Sequence, residues 1–426
     1  MDSALAAERR AIFVIGAVQF VNVLDFVMVM PMGPDFSQAL GIPLSHIGYI
    51  GGAYTAAAAV SGFVGSFFLE RFDRKQALLG ALLGLVAGTA LGGLAVGLST
   101  LMAARMVAGA FGGPATSISM SMVADLVPPE RRGRAMGAVM SAFSIASVLG
   151  VPAGLVLAMA GWRFPFFVTA GIGVIVAGIA ARALPSMRAH LQRQNQKEAR
   201  AWAALLGRPT VWLSWTMTAV VMMAGFIVIP NISSYVQENL HFPRAGLSVL
   251  YLVGGVVSFF AMRLSGRLVD RIGSFRTGAI AAVLMVGTLY LGFVRFPWPL
   301  PRALTDAPWT AQAAAWLPVI LLFTAFMAIN SLRNVAYNTL TSKVPGPHER
   351  ARFMSIQSAV QHIASAIGAF LSARLLWELP DGALGGVDRI AFVSMGLTAV
   401  IPLMLYIVES RVVRPAMDTR VGVTAP

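Results

Sequence analysis

Apolar residues run along this chain in blocks of about 20, parted by short polar segments rich in Arg, Gly and Pro. A helix crossing a bilayer needs roughly 20 such residues, with a range of about 17–25. The pattern predicts twelve spanning helices, near 11–33, 46–69, 76–97, 101–124, 135–159, 164–183, 210–237, 245–264, 276–295, 314–341, 353–376 and 389–409. Small residues recur within them, as in GALLGLVAGTALGGLAVG (80–97). In lipid such residues let helix backbones approach closely. The expected fold is therefore all-α and integral to the membrane.

Composition agrees with the pattern. The chain has 426 residues, 57% hydrophobic and 12% charged, with a mean hydropathy of +0.74. A soluble domain carries about a quarter charged residues. The first apolar run exceeds the 7–15 residues typical of a signal-peptide core, so it reads as a retained helix. With no cysteine, disulfides, thiolate metal sites and a Cys nucleophile are excluded. The net charge of +14 lies in short pieces between apolar blocks, not gathered on one soluble face. It reads as membrane topology and not as nucleic-acid binding.

With the N-terminus inside, the inner segments hold 24 Lys and Arg and the outer segments 5, while Arg105, Arg333 and Arg374 fall within helices. Both termini are then expected on the cytoplasmic side, in a bacterial inner membrane. Residues 182–209 form the longest inner loop, basic and amphipathic enough to lie along the membrane surface as a helix, or to serve as a solvated linker.

An internal repeat divides the chain. SFFLERFDRKQ (66–76) recurs 200 residues later as GRLVDRIGSFR (266–276), with Glu70-Arg71 matched by Asp270-Arg271. The expected organisation is a six-helix bundle over 1–184, a linker over 185–209 and a second bundle over 210–426. Two halves in parallel orientation describe a transporter whose site lies between them at the midplane.

The candidate chemistry is sparse. Asp25 sits inside the apolar run 11–32, with Gln19 and Asn22 at three-residue steps on the same face. A charge at the centre of a spanning helix costs about 2.5–3.5 kcal/mol and marks a pathway or a partner. Arg105 is the natural counter-charge. On a helical rise of 1.5 Å, Asp25 and Arg105 stand about 21 and 28 Å above the inner ends of their helices. Burial disfavours a carboxylate's charged form and a nearby cation favours it, so Asp25 suits proton loading and release. A static ion pair and a site for a cationic solute are the other readings.

His362 is a second titratable candidate, near Gln357, Gln361 and Ser365 at four-residue steps; a packing role and a substrate contact are its alternatives. Asn330, Asn334 and Asn338 form a polar stripe that also carries Arg333 and Tyr337. Arg333 suits a polar or anionic solute, unless it merely snorkels to water. Phe26, Tyr54, Asn231, Tyr235 and Tyr251 complete a candidate cavity with apolar walls and few polar anchors. No Gly-x-Ser-x-Gly, His-Glu-x-x-His or Gly-x-x-x-x-Gly-Lys occurs, so no enzyme activity and no cofactor or metal are expected.

With these motifs in view, the chain resembles the major facilitator superfamily. Ser66, Glu70, Arg71, Asp73, Arg74 and Lys75 occupy the positions of its Gly-x-x-x-Asp-Arg-x-Gly-Arg-Lys signature, with Ser, Glu and Asp replacing the first Gly, the Asp and the second Gly. Gly266, Asp270, Arg271 and Gly273 keep more of it in the second half. Arg105 and Gly109 match the helix-four Arg-x-x-x-Gly, and Gly150, Pro152 and Gly154 resemble the helix-five signature of drug and sugar efflux antiporters, in a Gly-Val-Pro form similar to the arabinose-efflux-like branch. GWRFPFF (161–167) also fits that branch. The resemblance implies a working monomer that exports a small molecule in exchange for protons by alternating access. It ties Arg105 to proton transfer near Asp25, makes Glu70, Arg74 and Asp125 an inner gate latch, and lets Pro152 and its glycines shape helix five where the halves meet. Proton symport or uniport of a small polar or anionic metabolite is the alternative. A receptor or scaffold without transport is a third reading.

Overall fold

The computed structural model describes residues 2–68, 71–188, 205–295, 309–346 and 349–412. Among them stand twelve long helices: α1 (Asp2–Val29), α2 (Ile47–Phe68), α3 (Arg74–Gly93), α4 (Leu98–Leu126), α5, α6 (Phe164–Ala183), α7 (Pro209–Phe226), α8 (Leu247–Ile272), α9 (Ser274–Leu289), α10 (Trp309–Thr341), α11 (Arg350–Leu375) and α12 (Val387–Val412). α5 has two segments, Pro129–Ile145 and Val151–Ala160, joined by a π turn at Ala146–Gly150. The all-α membrane architecture expected from the apolar blocks is the one observed. Ten of the helical stretches are long and apolar enough to cross a membrane by themselves. The other two, α4 and α11, carry the polar faces described below. Glu70 and residues 189–204, the core of the inner loop, lie outside the described residues.

One expected helix is not continuous. The span predicted over 210–237 stops at Phe226 and resumes as a 3-10 turn at Ile229–Asn231, a short helix at Ile232–Ser234 and a π turn at Tyr235–Asn239. Pro230 has no N–H to donate, which breaks the hydrogen-bond ladder there. α1 behaves alike: Met30–Met32, with Pro31, forms a 3-10 turn leading into a helix at Gly33–Leu40. A two-stranded hairpin, β1 (Trp377–Glu378) and β2 (Leu384–Gly385), links α11 to α12.

α2 packs against α4 of its own half and α11 of the other; α8 packs against α10 and, across the halves, α5. Glycines permit the closest approaches. A β-carbon on Gly109 would collide with the Tyr54 carbonyl, and one on Gly48 with the Ala369 carbonyl. Hydrogen bonds join the halves on the face away from the N-terminus. Arg244 forks onto Asp35 with both contacts at 2.9 Å and also reaches the Leu155 carbonyl at 3.3 Å. The Leu44 amide donates to Glu378. On the N-terminal face the ion pairs Arg74–Asp125 (2.6 Å), Arg131–Glu8 (2.9 Å) and Arg208–Glu349 (2.5 Å) each stay within one half.

Candidate functional site

α1 presents Asp25 to the centre of the first half, where it is fully buried. Arg105 of α4 meets it as a fork, Nη1 to Oδ1 at 2.8 Å and Nη2 to Oδ2 at 2.9 Å, with Nη2 also 3.2 Å from the Asp25 carbonyl oxygen. Thr89 of α3 donates to Oδ1 at 2.7 Å. The guanidinium lies over the Tyr54 ring, 4.8 Å from its centroid. A buried pair survives only with such geometry, because desolvating two charges costs several kcal/mol per ion.

The polar network continues along α1. Tyr54 donates to Asn22 Oδ1 at 2.9 Å, Asn22 donates to the Gly112 carbonyl (3.0 Å) and to Thr116 (2.8 Å), and Gln19 donates to Thr116 at 3.1 Å. Gln19, Asn22, Asp25, Tyr54 and Arg105 therefore form one assembly. Phe26 caps it, 5.0 Å from the Tyr54 ring, and stacks at 6.1 Å on Phe226 of the opposite half.

In the second half Arg333 is also buried, but its partners are neutral: Asn330 Oδ1 at 2.7 Å and Thr398 Oγ1 at 3.5 Å. Nearby on α10 and α11, Gln361 donates to the Tyr337 hydroxyl at 3.1 Å and Gln357 to Thr218 of α7 at 2.6 Å. Asn334 Oδ1 is buried without a partner. His362 is half-buried and makes no hydrogen bond among the described residues. Asn231 donates to Ser372 at 3.0 Å, Tyr235 to the Gly292 carbonyl at 2.5 Å, and Tyr251 shares a 2.7 Å bond with Ser233. All three bond within the second half, and Asn231 Oδ1 is left buried without a partner. Tyr235 lines a small apolar cavity with Phe293, Val319 and Phe323.

The loop motif is split. Arg74 pairs with Asp125, as the family pattern implies. Both belong to the first half, so this contact ties α3 to α4 and not one half to the other. Asp73 caps α3 through the Lys75 amide (2.9 Å) and gathers Ser186, the Met187 amide (3.2 Å) and Arg188 (3.2 Å). Burial pushes its carboxyl up, but those hydrogen bonds outweigh it and hold it at about 2. Arg71, Asp270 and Arg271 are exposed. In the second half Glu409 of α12 caps α9 instead, accepting from the Ser274 (2.8 Å) and Phe275 (3.3 Å) amides.

The helix-five motif lies in the segment of α5 that packs against α8 of the other half, and its glycines also touch α1. A β-carbon on Gly150 would lie 2.5 Å from Leu24, and one on Gly154 would lie 3.6 Å from Met28. These glycines let α5 close onto α1, beside Asp25. On the other side α5 meets the second half, with Val148 against Gly255 of α8. Sequence reasoning missed Thr89, Thr116, Thr398, Phe226 and Glu409; of these, only Phe226 carried a signal, the 200-residue spacing from Phe26.

The first half thus holds a self-neutralised charge pair and the second a buried guanidinium with neutral partners. Known proteins resemble the chain in sequence and in fold. The family model described as Major Facilitator Superfamily matches residues 15–369. The chain is 25% identical over 352 residues, 82% of its length and 84% of the relative's, to a protein of Streptomyces lividans named "Chloramphenicol resistance protein". It is 28% identical over 322 residues to the "Probable actinorhodin transporter" of Streptomyces coelicolor, covering 72% of this chain and 54% of that one. The solved D-xylose-proton symporter superposes with a TM-score of 0.73 at 13% identity, over 93% of this chain and 97% of that one. At that identity the likeness is one of fold. The chain belongs to the Major Facilitator Superfamily, a family of multi-pass secondary carriers and not of enzymes, and moves a small molecule across a bilayer.

Proposed function

We propose that the chain is a proton-coupled antiporter that exports a small organic molecule, with Asp25 as the proton site and Arg105 as its internal counter-charge. The observation that carries this is a fully buried carboxylate forked by a buried guanidinium. A proton that neutralises Asp25 releases Arg105 as a buried cation without a counter-charge, and the cost of that state ties protonation to a change of conformation and so to a gradient. Thr89 and Tyr54 hold the two groups in place between exchanges.

Export is supported by the Gly-Val-Pro motif on α5 and by the names of the two Streptomyces relatives, one a resistance protein and one a transporter. The second reading is symport or uniport of a polar or anionic metabolite, and the buried, acid-free Arg333 favours it. In either case one half rocks against the other about the α2–α11 and α5–α8 contacts. Cytoplasmic termini, a bacterial inner membrane and a working monomer complete the proposal.

The test is proton flux in everted vesicles under an imposed pH gradient, with sugars, nucleosides, organic anions and cationic dyes added in turn. A compound that dissipates the gradient through the parent and not through Asp25→Asn supports coupling at Asp25. Equal dissipation by both proteins removes Asp25 from the proton path and leaves His362 as the titratable group to examine. Uptake in right-side-out vesicles that needs Asp25 selects symport over antiport.

A further inference from the structure

The first three helices of each half align at a spacing of 200. The 3-10 turn Leu44–His46 recurs as Arg244–Gly246, and the starts of α2 and α3, Ile47 and Arg74, recur as Leu247 and Ser274 of α8 and α9. Phe26 and Phe226 obey the same spacing and stack on each other between the halves. Asp25 then corresponds to Gly225, and Asp73 to Gly273. At both places the second half has glycine where the first has an acid.

The two losses have different sequels. At Gly273 the chain provides a replacement: Glu409 Oε1 sits 3.1 Å from where a β-carbon would be, and caps the helix that Asp73 caps in the first half. At Gly225 a β-carbon would sit 3.2 Å from Arg333 Nη2, and no acid takes its place among the described residues. Arg333 is 2% exposed and, among the described residues, has only the neutral Asn330 and Thr398 as hydrogen-bond partners. Arg105, equally buried, has a carboxylate fork. A buried guanidinium without a counter-charge is costly unless something pairs with it for part of the cycle.

We propose that Arg333 anchors a carboxylate carried by the transported molecule, which stands in for the side chain that Gly225 lacks. Phe226, next in sequence to Gly225, and its stacking partner Phe26 suit an aromatic or apolar body on that molecule. Gly225 is then the specificity-determining position, because its missing side chain leaves the guanidinium free for the solute. The inference rests on the transport reading above and names its substrate class: small aromatic carboxylates.

The experiment measures the Tm of the purified full-length protein with benzoate, phenylacetate and indole-3-acetate, each against its amide at equal ionic strength. At least one acid should raise the Tm of the parent while its amide does not. That rise should vanish in Arg333→Gln and in Gly225→Asp, and Gly225→Asp should by itself raise the ligand-free Tm above the parent's. Equal shifts with acid and amide, no shift with any acid, or a shift that survives in Arg333→Gln overturns the proposal; Arg333→Gln decides alone if Gly225→Asp does not fold. Proton flux separates the two readings. An acid-specific shift through Arg333 with no solute-driven flux leaves the anion site standing and removes proton coupling. Flux driven alike by acids and amides, and unchanged in Arg333→Gln, keeps proton coupling and removes the anion site.

Discussion

Asp25→Asn removes one negative charge from a site that water does not reach. The asparagine keeps a carbonyl oxygen for Thr89 or for one arm of Arg105, but turns an NH2 toward the other arm. Donor then faces donor, and a guanidinium 1% exposed has no counter-charge. Removing one partner of a buried pair costs about 3–5 kcal/mol. Thr89→Val removes a single 2.7 Å hydrogen bond to the charged oxygen, worth about 1.5–3 kcal/mol. The double variant Asp25→Asn/Arg105→Gln leaves two neutral amides able to bond to each other, so it should be more stable than Asp25→Asn alone. A double-mutant cycle should therefore give a coupling energy of about 2–3 kcal/mol, within the range for residues in direct contact. The assay is equilibrium unfolding in mixed detergent micelles, followed by tryptophan fluorescence. Additive single and double variants would refute the reasoning: the fork would then be a contact without energetic weight, and a proton would have nothing to displace.

Three further outcomes follow from the fold. Asp73 holds its carboxyl at about 2 against an ordinary 3.8, so its stabilisation is fully present above about pH 4 and drains away as pH falls toward 2. At about 1.36 kcal/mol per pH unit the loss is at most about 2.5 kcal/mol, and Asp73→Asn should flatten that part of the stability-versus-pH curve. Gly109→Ala should cost about 1–3 kcal/mol, because its methyl group meets the Tyr54 carbonyl, a main-chain atom that cannot rotate away. Gly80→Ala, with open space around it, should be neutral or stabilising by up to about 1 kcal/mol, and unfolding midpoints compare the two. Asp35→Asn breaks the fork onto Arg244 that joins the halves. Since the chain has no cysteine, a single Ser234→Cys, placed where Ser234 abuts Gly33, should react faster with maleimide in that variant; an unchanged rate would show that Asp35 does not hold this face shut.

The membrane architecture was legible because a spanning helix must be apolar along its whole length, which leaves block lengths in plain view. Asp25 and Arg105 were legible for the converse reason: a charge in such a block stands out. Thr89 was not. A threonine in a membrane helix usually bonds its own backbone, as Thr89 also does to the Leu85 carbonyl at 2.9 Å, and nothing in the sequence says that it reaches Asp25 as well. The break in α7 had one signal, Pro230, but Ile227 and Val228 keep the segment apolar through the turn and hide where the helix stops. Glu409 lies far along the chain from the helix it caps, and only the return of α12 beside α9 brings it there. For helix five the glycines were visible, but whether they face α1 or the other half depends on helix rotation, which spacing alone leaves open.

The Phe26–Phe226 stack has a mechanical meaning. It lies where the two halves touch, and it is built from surfaces with no directional bonds. Offset stacking of this kind is worth about 0.5–1.5 kcal/mol and tolerates a range of offsets. Rings that slide and tilt at so little cost act as a bearing. Resistance to rotation then resides around them, in the close α2–α11 approach at Gly48 and in the Asp35–Arg244 fork and Glu378 contact at the rim, and the turnover rate should answer to those contacts more than to the bulk of the axial rings.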